Sequence, residues 1–137
     1  MNKERLLELA DVIERAPVQS FDMDHWLRLD LGSPCGTVAC IAGHACLHFV
    51  TGYHNRFEAV KECGVRVNEE FENFSKAARG VLELTEKESN RLFYASEWPG
   101  EWEDRYVKEK EIRNKVAAAY IREFVRTDGF DSEKEEA

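Results

Sequence analysis

The run Cys35–Val50 constrains the fold more than any other stretch of this 137-residue chain, because it is short, apolar and rich in small residues. Pro34 cannot lie inside a helix, so we expect a helix to begin after it, with Thr37 as its N-cap and Gly52 beyond its end. At about 100° per residue, the apolar side chains cover most of the circumference of such a helix. A helix that is apolar nearly all round, and too short to cross a bilayer, lies in the core of a globular protein. The sequence therefore predicts a central helix over roughly residues 37–51.

Helical patterns flank this segment on both sides. Asn2 is placed to cap a first helix that Pro17 ends, and Thr85 with Glu88 has the spacing of a capping box. Gly129 is placed to end the last helix. The remaining expected helices cover residues 55–63, 68–84, the segment after Thr85, and about 108–126.

These segments predict an all-α fold of about six helices, with at most short extended segments. The chain has the length of one domain with a real core, and 43% of its residues are apolar. We expect a single helical domain over residues 1–129. The charged segment over residues 130–137 is expected to be a disordered acidic tail.

The charge balance limits the classes of partner. The chain has 27 acidic and 19 Lys or Arg residues, which gives a net charge of −8. Direct nucleic-acid binding needs a basic face, so it is not expected. An acidic protein can instead bind a basic surface, including the nucleic-acid groove of another protein. The candidate acidic contacts are Glu69, Glu70, Glu72 and the C-terminal tail.

The sequence also indicates a location. We find no signal-peptide pattern at the N-terminus and no run of transmembrane length, so a cytoplasmic protein away from membranes is expected. Its four cysteines are then expected to be reduced. The sequence does not indicate an oligomeric state.

One strip along the predicted central helix carries metal-compatible side chains. Its spacing is C-x4-C-x3-H-x3-H, and the candidate zinc ligands are Cys35, Cys40, His44 and His48. This is not a standard zinc-finger pattern. The alternative is a core helix that uses cysteine as a small apolar residue, with the histidines at its solvent-exposed edge. We favour this alternative, and therefore expect no cofactor.

Cys35 is also a candidate nucleophile. It precedes a predicted helix N-terminus, where the helix dipole lowers the pKa of a thiol. A catalytic base would have to be His25 or His54. The alternative is an unreactive cysteine in a turn, and no second signature of a Cys-His enzyme accompanies Cys35.

Two further patterns can be interpreted either as binding sites or as ordinary structural features. Residues 77–94 have the helix–turn–helix order of a DNA-binding hairpin, but little positive charge, so an ordinary helical hairpin is favoured. Trp98, Trp102 and Tyr106 would form a partner-binding hot spot if they were exposed. If they are buried, they close the helical bundle against the last helix.

Three local patterns resemble a set of small uncharacterised proteins from bacteria and their phages. The patterns are Phe21-Asp22-Met23…Trp26, then Cys35-Gly36-Thr37-Val38-Ala39-Cys40-Ile41-Ala42-Gly43, and Trp98-Pro99…Val116-Ala117-Ala118…Ile121…Phe124-Val125-Arg126-Thr127-Asp128-Gly129. The resemblance covers most of the chain. It implies a cytoplasmic accessory protein, in one version from a mobile element, and implies no activity or cofactor. In those relatives a tryptophan often stands at the position of His44, which implies that His44 is not a required ligand.

The sequence therefore favours a non-enzymatic interaction protein that binds another macromolecule and changes its activity. One version is a phage-type inhibitor that occupies a basic nucleic-acid groove. A cysteine-dependent enzyme using Cys35 and a zinc-stabilised domain are the alternatives.

Overall fold

The computed structural model describes residues 1–23, 27–29, 37–49 and 71–129, and for residues 27–29, 37–38 and 71–74 it describes the backbone alone. The predicted helix over residues 55–63 and the predicted tail over residues 130–137 lie outside the described residues. So do these candidate site residues: Cys35, His25, His54, Glu69 and Glu70. The backbone of Glu72 is described, but its side chain is not.

The described residues form six α-helices, and the predicted all-α fold class is confirmed. The helices are α1 (Lys3–Arg15), α2 (Ile41–Phe49), α3 (Phe71–Leu82), α4 (Glu86–Phe93), α5 (Gly100–Lys108) and α6 (Arg113–Arg126). Single 3₁₀ turns cover Val18–Ser20, Ala95–Glu97 and Lys110–Ile112. Two short strands, β1 (Leu27–Leu29) and β2 (Thr37–Ala39), pair antiparallel with Arg28 opposite Val38.

Local capping signals set several helix ends where the sequence places them. The Asn2 side chain accepts a hydrogen bond from the Arg5 backbone at 3.0 Å, which caps α1. Thr85 and Glu88 form the predicted capping box at the start of α4, with hydrogen bonds of 2.9 and 3.1 Å. At the end of α6, Gly129 has φ +76° and donates to the Phe124 carbonyl at 2.7 Å, which closes a Schellman motif.

The predicted start of the central helix is wrong by about one turn. Residues 37–39 form β2, and α2 begins at Ile41. The Cys40 carbonyl accepts from the His44 amide at 2.9 Å, so Cys40, and not Thr37, stands at the N-cap position. The physical reason is long-range pairing, because the backbone before Cys40 forms a ladder with β1 and the Ala39 carbonyl accepts from Asp22 at 3.1 Å.

The last helix also starts later than predicted. The sequence placed its start at about Lys108, but α5 ends there and α6 begins at Arg113. Glu109, with φ −94° and ψ 60°, interrupts the helical backbone between them, and a 3₁₀ turn follows it.

The core of the described residues lies between α2 and the helices around it. The six residues from Ile41 to Cys46 are all buried, so the predicted central position of this helix is confirmed. Helix α2 packs against α3, and α1 packs along α6. Small side chains such as Ala42, Ala45 and Ala78 have no exposed surface and allow close approach of the helices.

Candidate functional site

The cysteine and histidine strip of α2 runs from the core to the surface. Cys40 is 2% exposed and His44 is 8% exposed, whereas His48 at the other end is exposed. The expectation that both histidines lie at the solvent-exposed edge is therefore wrong for His44. It is correct for His48, whose Nε2 lies 2.6 Å from a carboxylate oxygen of Glu8 on α1.

His44 is a buried neutral imidazole. Its Nε2 donates to the Ser20 carbonyl at 3.1 Å, and its ring stacks on Phe21 with centroids 5.8 Å apart. Burial lowers the pKa of His44 to about 4, and the hydrogen bond to Ser20 opposes only part of this effect. At neutral pH this side chain carries no charge and its placement is that of a packed core residue.

The described cysteines are buried thiols. Burial raises the pKa of Cys40 to about 11 and that of Cys46 to about 12, so both are protonated at neutral pH. Among the described residues, no three His, Cys, Asp or Glu side chains come close enough together to hold a metal ion. Cys40, His44 and His48 therefore do not converge on one point.

Trp98 and Tyr106 are buried, so they pack in the helical bundle and do not form an exposed partner-binding hot spot. Trp98 is 3% exposed, stacks on Tyr120 with centroids 4.3 Å apart, and donates from Nε1 to the Leu92 carbonyl at 3.2 Å. Tyr106 is 7% exposed, and its hydroxyl accepts from the Met23 amide at 2.8 Å. These two residues close the bundle against α6.

Trp102 differs from its two neighbours because it is only half-buried. The guanidinium of Arg105 lies 5.0 Å from the centroid of its ring. Of the three aromatic residues singled out in the sequence, Trp102 alone keeps surface that a partner could contact.

The exposed face of α1 carries carboxylates around an exposed leucine. We call Glu4, Glu8, Asp11 and Glu14 the acidic row, since their spacing of three or four residues puts them on one side of the helix. Leu7 lies among them and is 43% exposed. The spacing of these carboxylates is visible in the sequence, but no local pattern indicates that Leu7 stays outside the core.

Two side chains from other helices contact the acidic row. Arg122 of α6 donates to Asp11 at 2.8 Å and to Glu14 at 3.0 Å, and His48 contacts Glu8. The hydrogen bonds from Arg122 hold the pKa of Glu14 below its usual value. Arg122, whose guanidinium is permanently charged, thus pairs with two of the four carboxylates of the row.

Helices α3 and α4 form the predicted helical hairpin, with residues 83–85 as the turn. A groove of about 380 Å³ lies between them, and its lining residues are Ser75, Lys76, Arg79, Glu86, Ser89, Asn90 and Tyr94. Sequence reasoning missed this groove. The residues that line it come from two helices, and the pattern of residues along one helix does not show which face of the other helix lies beside it.

No family model matches the chain, and no curated protein or solved structure matches it either. Among the described residues, no helix is long and apolar enough to cross a membrane.

Proposed function

We propose that this chain is a non-enzymatic regulatory protein that binds a basic protein partner through the acidic row of α1. The observation that carries the proposal is the exposed Leu7 in the middle of that row. A large apolar side chain surrounded by charges resembles the anchor and polar rim of a protein–protein interface. The carboxylates would select a basic partner, and Leu7 would fill an apolar depression on it.

The charge of the row supports a basic partner. The contacts of the row with Arg122 and His48 are solvent-exposed, with side-chain exposures between 36% and 61%. Exposed pairs of this kind contribute about 0–1 kcal/mol each, so a partner's Lys or Arg can replace them at little cost. The net charge of −8 would also steer a basic partner toward this chain.

The partner class that fits best is a basic nucleic-acid-binding protein. Its nucleic-acid groove is a concave positive surface, and an acidic helix with one apolar anchor is complementary to it. Occupation of that groove would inhibit nucleic-acid binding. An inhibitor of this kind agrees with the resemblance to small bacterial and phage accessory proteins, and it would act in the cytoplasm.

A photo-crosslinking experiment tests the proposal. A photoreactive amino acid replaces Leu7 in one protein and Val107, which is 54% exposed on α5, in the control. Crosslinking in cells that naturally express the protein, followed by mass spectrometry, identifies what each position touches. We expect a basic protein at position 7 and not at position 107, and we expect duplex DNA to compete with the crosslink.

Charge variants check the same contact. Glu4→Gln, Glu8→Gln and Asp11→Asn together should weaken binding of the crosslinked protein by at least about tenfold, and raised salt should do the same. The matched control changes three exposed acidic residues elsewhere, Glu97→Gln, Glu101→Gln and Asp104→Asn. Equal loss in both triple variants, or binding that ignores salt, would contradict the proposal.

A further inference from the structure

The groove between α3 and α4 shares no residue with the acidic row and has its own chemistry. Its volume of about 380 Å³ is in the range of small-molecule sites. We propose that this groove binds a small molecule that carries one phosphate group and a planar ring, of the nucleoside monophosphate class. This site is additional to the proposed protein interface.

Two cations on one wall of the groove provide the phosphate contact. Lys76 and Arg79 lie one turn apart on α3, and both side chains are exposed. No carboxylate lies within ion-pair distance of either one among the described residues, whereas Arg105, Arg122 and Arg126 all pair with carboxylates. Two adjacent cations repel each other, and a phosphate between them removes that repulsion and accepts charge-assisted hydrogen bonds.

The opposite wall offers polar groups and a ring. Asn90 of α4 is exposed, and its carboxamide can both donate to and accept from the edge of a nucleobase. Tyr94 follows α4, lines the same groove and is 40% exposed, so it places an aromatic ring where a planar group of a ligand can contact it.

Glu86 limits the charge of the ligand. The groove lining carries two positive charges and one negative charge. A monophosphate matches this excess of positive charge, whereas a nucleic-acid strand would bring a row of phosphates against Glu86 and against a chain with net charge −8. The groove chemistry therefore favours a single nucleotide over a nucleic acid.

Titration calorimetry with three probes tests the proposal: adenosine monophosphate, adenosine and inorganic phosphate. We expect adenosine monophosphate to bind more tightly than either fragment alone. The double variant Lys76→Gln with Arg79→Gln should weaken its binding by about tenfold or more, as removal of charge-assisted hydrogen bonds does. Tyr94→Leu should weaken adenosine monophosphate by about fivefold or more and leave inorganic phosphate unchanged, because only the nucleotide has a ring to stack.

A matched control separates a specific site from general attraction. Lys110→Gln with Lys115→Gln makes the same change in net charge at exposed positions outside the groove. Retained binding in this variant supports the site. Each of three results would overturn the proposal: equal loss in both double variants, no heat of binding at millimolar adenosine monophosphate, or tighter groove-dependent binding of duplex DNA than of the nucleotide.

Discussion

The contact of α1 with α6 and the contact of α2 with α3 differ in the side chains that make them. A buried amide lies at the first contact, and small apolar residues lie at the second. Asn114 of α6 donates to three backbone carbonyls at the end of α1, and these are Ile13 at 3.2 Å, Glu14 at 3.1 Å and Ala16 at 2.9 Å. Helix α2 instead meets α3 through small apolar residues such as Ala45, Cys46 and Ala78, all fully buried. The polar contact fixes which residues face each other, and the apolar contact fixes how closely the helices approach.

The difference predicts different weaknesses. A contact made of directed hydrogen bonds fails when the chemistry of one side chain changes, even at constant size. A contact made of buried small residues fails when volume or charge is added to it. The following measurements test the polar contact of α1 with α6 and the buried surroundings of α2, from the largest expected effect to the smallest.

Asn114→Asp should cause the largest loss. The two side chains have nearly the same size, but the carboxylate would face three carbonyl oxygens where the amide now donates, at a position only 4% exposed. We expect the free energy of unfolding at pH 7 to fall by about 3–5 kcal/mol, because a buried charge would be left without a partner. Urea unfolding followed by circular dichroism measures this.

Asn114→Ala is the matched control for that substitution. It removes the donors without adding a charge, so a smaller loss of about 1–3 kcal/mol is expected. If the Asp variant were as stable as the Ala variant at pH 7, then the hydrogen bonds of the Asn114 amide would not be what stabilises the contact between α1 and α6. The comparison of the two helix pairs would then fail.

Acid should weaken the surroundings of α2 through His44. Desolvation lowers its folded-state pKa to about 4 from 6.5, so the unfolded state binds the proton more tightly than the folded state does. The stability that the neutral ring contributes is complete above pH 6.5 and is lost as the pH falls toward 4. A difference of this size corresponds to about 3 kcal/mol, and urea unfolding between pH 7.5 and pH 4 measures it.

His48→Gln is the control for the acid experiment, because it removes the exposed histidine of the same helix and leaves His44 in place. This variant should keep the acid-dependent loss. Replacement of His44 by glutamine should flatten the profile between pH 6.5 and 4, whatever its effect on stability at pH 7. If the profile flattens in the His48 variant instead, the buried imidazole is not the acid-sensitive group.

The parts of the fold that the sequence predicted correctly depend on neighbouring residues. Asn2, Thr85 and Gly129 act within a turn of their own position, so their capping roles follow from spacing. The start of α2 does not follow from local spacing. The backbone that the sequence assigned to its first turn instead forms β2 and pairs with β1. Asn114 is a similar case, since its acceptors lie about 100 residues away along the chain.

The candidate sites divide in the same way. Carboxylates at helical spacing on α1 are visible in the sequence, but the exposure of Leu7 depends on which other elements cover that helix. The groove with Lys76 and Arg79 needs α3 and α4 side by side, which no local pattern encodes. Burial of Trp98 is one of the two alternatives that the sequence leaves open, and it is the one that general packing physics indicates for a large apolar residue.

Arg122→Gln should cause the smallest loss of stability, although it removes two ion pairs between α1 and α6. The side chains of Arg122 and Asp11 are 36% and 61% exposed, so water competes for both partners. We expect a loss below about 1 kcal/mol in urea unfolding, well under that of Asn114→Asp at the same helix pair. The variant should also bind a basic partner more tightly, since Asp11 and Glu14 of the acidic row lose the arginine that pairs with them. A loss as large as that of Asn114→Asp would mean that the exposed ion pairs, and not the buried amide, stabilise the contact between α1 and α6.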